Sequence, residues 1–161
     1  MLGELREIVI WGFIATAAMT TLLHGSQGLG LSRLSLPFLV GTMLSASRTR
    51  ASVLGFLAYL LGGWVFALLY YLVFDSLGLA TWWLGAMVGL LHGLFLLVVI
   101  LPLLPQMHPR MATEYDGPSA SRRLEPPGFM GLNYGRRTPL STLAGQAAYG
   151  LILGLCLSVP G

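Results

Sequence analysis

Residues 84–104 read LGAMVGLLHGLFLLVVILPLL and contain no charged side chain. A helix needs about 20 mostly apolar residues to cross the hydrocarbon core of a bilayer, and this stretch supplies them. Gly85, Gly89 and Gly93 recur at intervals of four, which places them on one face of a helix. Small residues on one face let membrane helices approach closely, so the stretch predicts a membrane span that packs tightly on another span.

The composition of the whole chain favours the same class of protein. Of the 161 residues, 55% are hydrophobic and 9% are charged, whereas roughly a quarter are charged in soluble domains. Four segments have the length and hydropathy of spans, at about 8–30, 52–74, 79–104 and 139–159. We therefore predict one membrane domain, residues 1–161, with the fold of an all-α integral membrane four-helix bundle. A run of prolines is expected to close the third span, at Pro102, Pro105 and Pro109.

The arginines predict how the four spans are oriented. All nine basic residues are arginine, and eight of them lie in two loops, 31–51 and 105–138. Both loops fall on one side of a four-span protein, and short loops rich in arginine stay in the cytoplasm. The prediction is a multi-pass protein of the bacterial inner membrane with both termini periplasmic. Glu4 and Glu7 are untypical of a signal peptide, so the first segment is expected to be retained as a span.

Loops one and three are both expected to contain ordered structure of their own. Loop one contains Ser35-Leu36-Pro37 ahead of an apolar run, which predicts a short interfacial helix with proline in its first turn. Loop three contains five prolines and the sequence GFMGLNYG at 128–135. Loops of this length are usually functional or flexible. We expect a partly ordered cytoplasmic cap that lies on the helix ends or on a partner.

Histidines in apolar segments are the first candidates for a functional site. The tetrapeptide LLHG occurs at 22–25 and 90–93, and it places His24 and His92 in spans one and three. Ionisable groups inside a membrane are often functional, and imidazole is a common haem ligand. One prediction is therefore that His24 and His92 bind haem or a pigment; the alternative is that each bonds a neighbouring helix. Their depths differ by about 9 Å, so they are not expected to share one iron.

The other polar residues are expected to make structural contacts and not to take part in catalysis or metal binding. Thr20, His24 and Gln146 are expected to make polar contacts inside the membrane, with His24 and Gln146 at similar depth. No acidic residue lies in the central part of a span, and no serine or cysteine has an obvious spacing to a histidine, so neither a metal site nor a catalytic site is predicted. Four arginines are expected to bind a partner or anionic lipid headgroups. They are Arg122, Arg123, Arg136 and Arg137.

Three stretches together resemble a known family. They are WGFIATAAMT at 11–20, GGWVFALLYYLVF at 62–74 and RTPLSTLAGQAAYGLILG at 137–154. The chain resembles an uncharacterised family of small four-span bacterial membrane proteins, known only as a domain of unknown function. The resemblance implies an inner-membrane location and no known activity. The family often has a histidine where this chain has Gln146, which implies a hydrogen-bonding role for this position here.

These observations predict a protein that is not an enzyme. The leading prediction is a small non-catalytic membrane subunit that packs in a larger bacterial assembly, for example a respiratory or photosynthetic one. Its expected partners are membrane lipids and other membrane subunits or a second copy of the chain, and no nucleic acid. The first alternative is the haem- or pigment-binding protein that uses His24 and His92. A further alternative is a carrier for a small solute or lipid, with His24 and Gln146 lining a cavity that faces the cytoplasm.

Overall fold

The computed structural model describes residues 2–113 and 115–159, which form a bundle of four long helical spans. The first, second and fourth spans are single α-helices. The third span is assembled from an α-helix, a π-helical turn and a second, short α-helix. A further short helix lies between the first two spans. The helices are α1 (Leu2–Gly28), α2 (Leu36–Leu44), α3 (Arg48–Leu77), α4 (Trp82–Phe95), the π turn (Leu96–Ile100), α5 (Leu101–Met107), a 3-10 helix (Phe129–Tyr134) and α6 (Thr138–Cys156).

The third span continues past the first two prolines that were expected to close it. Pro102 stands at the start of α5, directly after the π turn, and Pro105 lies inside α5. A proline has no N–H to donate to the preceding turn, and the π turn has already altered the hydrogen-bond ladder at this place. The expected end of the span near Leu104 lies three residues before the end of the helix at Met107, so Pro102 and Pro105 lie within the span.

The glycine face of the third span brings α4 into backbone contact with α6. A Cβ atom added at Gly85 would lie 2.0 Å from the carbonyl oxygen of Gly150, and one at Gly89 would lie 2.2 Å from that of Gln146. Backbones at this distance leave no room for a side chain between them. The predicted close packing of this face is confirmed, and α6 is the partner helix.

Small residues also let α3 pack closely on α1 and on α2. Thr16 of α1 fills the space beside Gly63, where an added Cβ would lie 2.1 Å from the threonine hydroxyl oxygen. Near the start of α3, a Cβ on Gly55 would lie 1.9 Å from the carbonyl oxygen of Pro37 in α2. The helix predicted near Ser35 is thus present as α2, and it packs on α3.

Loop three lies as a cap on loop one and on the adjacent helix ends. The backbone N–H of Arg33 donates to the carbonyl oxygen of Tyr134 at 2.7 Å, and the hydroxyl groups of Ser32 and Thr138 lie 2.8 Å apart. The Tyr134 hydroxyl donates to the carbonyl oxygen of Glu125. Burial, together with the charge of Glu125, raises the pKa of Tyr134 to about 12. The cap on the helix ends that the sequence predicts is therefore ordered in this part of the loop.

The two spans joined by the shortest turn are the least closely packed pair of neighbours along the chain. α4 packs on α6, while α3 packs on α1 and α2. α3 and α4 are not among the closely packed helix pairs of the described residues. Their side chains do meet, because the rings of Phe66 and Tyr70 in α3 lie against His92 in α4. A gap between α3 and the third span follows from this arrangement.

Candidate ligand-binding cavity

A cavity of about 240 Å³ occupies the gap between α3 and the third span. Its walls come from all six α-helices and the π turn, and most of the side chains that line it are apolar. α2 closes the end of the cavity next to the arginine-rich loops, through Leu36, Leu39 and Val40. Four side chains with polar atoms also line it. They are Tyr59, His92, Gln146 and Tyr149.

Gln146 is the one residue of these four without an aromatic ring, and its side chain is deeply buried. Its exposed fraction is 3%, and its side-chain oxygen Oε1 is buried and has no hydrogen-bond partner. Its backbone is fixed because the carbonyl oxygen of Gln146 packs directly over Gly89. A buried polar atom without a partner is uncommon in native proteins. Gln146 therefore holds an unused hydrogen-bond acceptor in the wall of a mostly apolar cavity.

His92 is a second polar residue in the cavity wall. Its ring stacks on Phe66 with the ring centroids 4.1 Å apart and a tilt of 30°. Its Nδ1 atom lies 3.3 Å from the hydroxyl oxygen of Tyr70, which makes one hydrogen bond from α4 to α3. The interpretation of His92 as a histidine that bonds a neighbouring helix agrees with these contacts.

The two tyrosines of the cavity wall already have partners for their hydroxyl groups. The Tyr149 hydroxyl donates to the carbonyl oxygen of Gly63 at 2.6 Å and so ties α6 to α3. The Tyr59 hydroxyl contacts the sulfur of Met19 at 3.8 Å. Both groups serve packing between helices. The unpartnered oxygen of Gln146 is thus a candidate group in this wall for binding a ligand.

The structure separates His24 from Gln146. His24 is exposed, and it lines a shallow groove between α1 and α3 together with Thr20 and Phe56. The Thr20 hydroxyl donates to the carbonyl oxygen of Thr16 in its own helix, so it makes no polar contact between helices through this bond. The expectation that His24 and Gln146 line one cavity is wrong, because α1 turns His24 to the outer side of the bundle. His92 takes that place beside Gln146.

The two histidines do not form a shared cofactor site. His24 and His92 line different pockets. In the described part of the chain, no three His, Cys, Asp or Glu side chains lie close enough to hold a metal ion. The cavity beside His92 is also smaller than the roughly 300–1,000 Å³ of pockets that hold drug-sized ligands. A short apolar group fits this space better than a haem macrocycle does.

The four candidate arginines lie at the end of the bundle that loops one and three form. They differ in how exposed they are and in which residues surround them. Arg122 is half-buried, while Arg136 and Arg137 are exposed beside the start of α6. Arg123 lines a surface groove together with two arginines from elsewhere in the chain, Arg48 and Arg110. Sequence reasoning missed this group because its members are distant in the chain and meet only when loop three folds onto α2.

The fold and the cavity define an all-α, four-span membrane protein with an internal ligand-sized space. Comparisons of the chain with protein-family models, with curated proteins and with solved structures found no match. The resemblance to the uncharacterised four-span family therefore stays a prediction.

Proposed function

We propose that the protein is a non-catalytic membrane protein that binds an apolar, hydroxyl-bearing molecule in the cavity between α3 and the third span. The observation that carries this proposal is the buried Oε1 of Gln146, which has no partner in a mostly apolar wall. A buried acceptor without a partner destabilises a protein by about 1–3 kcal/mol. A ligand hydroxyl that donates to this oxygen would remove that penalty.

The size of the cavity supports a ligand segment of one ring or a short branched chain. Apolar cavities of about 150 Å³ stay dry and accept benzene, and this cavity measures about 240 Å³. α3 and α4 are not closely packed, so the remainder of a longer molecule would leave sideways toward the acyl chains. This arrangement favours a lipid-like ligand over a water-soluble one.

The same proposal includes the location of the protein. Four apolar helices make it a multi-pass membrane protein, and we assign it to a bacterial inner membrane with loops one and three in the cytoplasm. The carrier hypothesis is compatible with this cavity, with His92 in place of His24. A role as a subunit of a larger assembly stays a prediction, and co-purification from native membranes tests it.

A matched pair of ligands tests whether Gln146 recognises a hydroxyl group. 4-Nonylphenol and nonylbenzene differ only in one hydroxyl, and each would be added to protein in a mild detergent. A ligand that binds the folded state raises the thermal unfolding midpoint. We expect 4-nonylphenol to raise it further than nonylbenzene, because one added hydrogen bond of about 1 kcal/mol improves affinity about fivefold.

The control variants separate the cavity from general detergent effects. Gln146→Leu should remove the difference between the two ligands, while Gln106→Leu should keep it, because Gln106 is exposed and is not in the cavity wall. Equal shifts with both ligands in the wild-type protein would contradict the proposal. So would a difference that survives in Gln146→Leu.

A further inference from the structure

A second candidate site lies outside the bundle, in a groove between α2, the start of α3 and loop three. The groove encloses about 790 Å³ and is lined by three arginines, Arg48, Arg110 and Arg123. These residues are far apart in the sequence and come from a helix start and two parts of one loop. None of the carboxylates in the described residues lines the groove. The groove therefore concentrates positive charge.

The folded loop holds this charge in place. The Arg110 guanidinium donates to the carbonyl oxygens of Thr42 and Met43, the latter at 3.2 Å, and so binds the end of α2. The Arg110 backbone N–H donates to Nδ1 of His108 at 3.1 Å. Nε of Arg123 donates to the carbonyl oxygen of Ala120 at 3.1 Å. Two of the three arginines are thus oriented before any ligand arrives.

Nearby acidic groups are engaged elsewhere. Glu125 pairs with Arg33 at 3.4 Å in a neighbouring pocket, which shares Phe38 and Leu124 with the groove. Asp116 accepts a hydrogen bond from the Thr113 hydroxyl at 3.0 Å. Neither carboxylate is in the wall of the groove, so an external anion has no competitor from these two groups.

The position of the groove points to a lipid and not to a soluble anion. Arg48 is the first residue of a helix that spans the membrane, and phospholipid headgroups lie at the ends of such helices. Phe38 and Leu124 line the same groove, and they offer apolar surface to the glycerol and upper acyl region. Arginine binds phosphate oxygens through two parallel hydrogen bonds. We propose that this groove binds the phosphate of an anionic phospholipid.

This site is separate from the cavity. α2 stands between them, with Leu39 and Val40 facing the cavity and Phe38 and Thr42 facing the groove. Loss of one site therefore need not remove the other, and the two proposals can fail independently.

Native mass spectrometry in detergent tests the proposal with an equimolar mixture of phosphatidylglycerol and phosphatidylcholine. The wild-type protein should retain phosphatidylglycerol over phosphatidylcholine by about tenfold or more, since each of the three arginines near the membrane surface contributes about 1 kcal/mol. The double variant Arg48→Gln/Arg123→Gln should lose most of that preference. The control Arg122→Gln/Arg136→Gln removes the same charge outside the groove and should keep it.

A second variant protects the test against misfolding. Arg123→Gln alone changes an exposed loop residue whose hydrogen bond to the described residues is local, and it should lower the preference about fivefold. Helical circular dichroism and elution volume report folding for each variant. Equal binding of the two lipids, equal losses in both double variants, or displacement of phosphatidylglycerol by inorganic phosphate would each overturn the proposal.

Discussion

Replacing Gly89 by alanine should separate the two most closely packed helices of the bundle. The added Cβ would lie 2.2 Å from the carbonyl oxygen of Gln146, whereas ordinary contact begins at 3.4 Å. The obstacle is backbone, which cannot turn aside as a side chain can. α4 and α6 must therefore move apart by about 1.2 Å, and overpacking of this kind destabilises by about 1–3 kcal/mol.

The upper end of that range is expected because the neighbouring contacts are lost as well. A radial gap of about 0.5–1 Å already removes a quarter to a half of a dispersion contact, and Gly85 rests on Gly150 one turn away. The assay is the free energy of unfolding, measured by circular dichroism as protein in mild detergent is titrated with sodium dodecyl sulfate. We expect Gly89→Ala to lose about 3 kcal/mol.

Alanine substitutions at two other glycines serve as controls for the loss of unfolding free energy expected of Gly89→Ala. Gly25 lies in α1 with nothing near the position of an added Cβ, so Gly25→Ala should be neutral or stabilise by up to about 1 kcal/mol. An added Cβ at Gly93 would meet only side chains, of Leu143 at 3.1 Å and Gln146 at 3.2 Å, so Gly93→Ala should fall between the two. The reasoning is refuted if Gly89→Ala lies within about 0.5 kcal/mol of Gly25→Ala.

Three further predictions concern the cavity and the cap. Gln146→Leu should raise the free energy of unfolding of the ligand-free protein by about 1 kcal/mol in the same titration, because it removes a buried oxygen without a partner. Tyr149→Phe should lower it by about 1 kcal/mol, since the hydrogen bond from α6 to Gly63 at 2.6 Å is lost. Burial lowers the pKa of His108, so the unfolded loop takes up a proton that the folded cap does not, and the cap should weaken as the pH falls below about 6.5. Limited proteolysis of loop three should therefore accelerate between about pH 7 and pH 5 in the wild-type protein, and the acceleration should be absent in His108→Gln.

The pH prediction rests on the hydrogen bonds that surround His108. Its Nε2 atom lies 3.0 Å from the carbonyl oxygen of Leu39, which can only accept, while Nδ1 accepts from the backbone N–H of Arg110. The neutral ring with its proton on Nε2 satisfies both partners. A second proton on Nδ1 would face another N–H donor and the positive charge of Arg110, which adds to the effect of burial.

The spans and their closest contact could be predicted from the sequence because both depend on local pattern. Apolar length identifies a span, and glycines at intervals of four identify a face for close packing. The sequence could not identify α6 as the partner of Gly85 and Gly89, since all four spans carry small residues. It also could not anticipate the π turn at Leu96–Ile100, which lets the third span continue past Pro102.

The candidate site was predicted only in part, for a related reason. Gln146 and His92 are conspicuous as polar residues in apolar segments, and the sequence identifies both. Depth along a helix could be counted, but the direction in which each side chain points depends on which helices pair. Equal depth suggested His24 as the neighbour of Gln146, whereas the rotation of α1 places His24 on an outer groove.

The cavity follows from how the glycine contacts are distributed. α4 and α6 bring their backbones together through Gly85, Gly89 and their partners, and α3 uses Gly55 and Gly63 to approach α2 and α1. No such contact draws α3 toward α4, so the space between them is filled only by side chains such as Phe66 and His92. Closing that space with larger apolar residues would stabilise a bundle whose only task was to pack. The open space beside an unpartnered Gln146 oxygen is therefore better explained by a ligand than by packing alone.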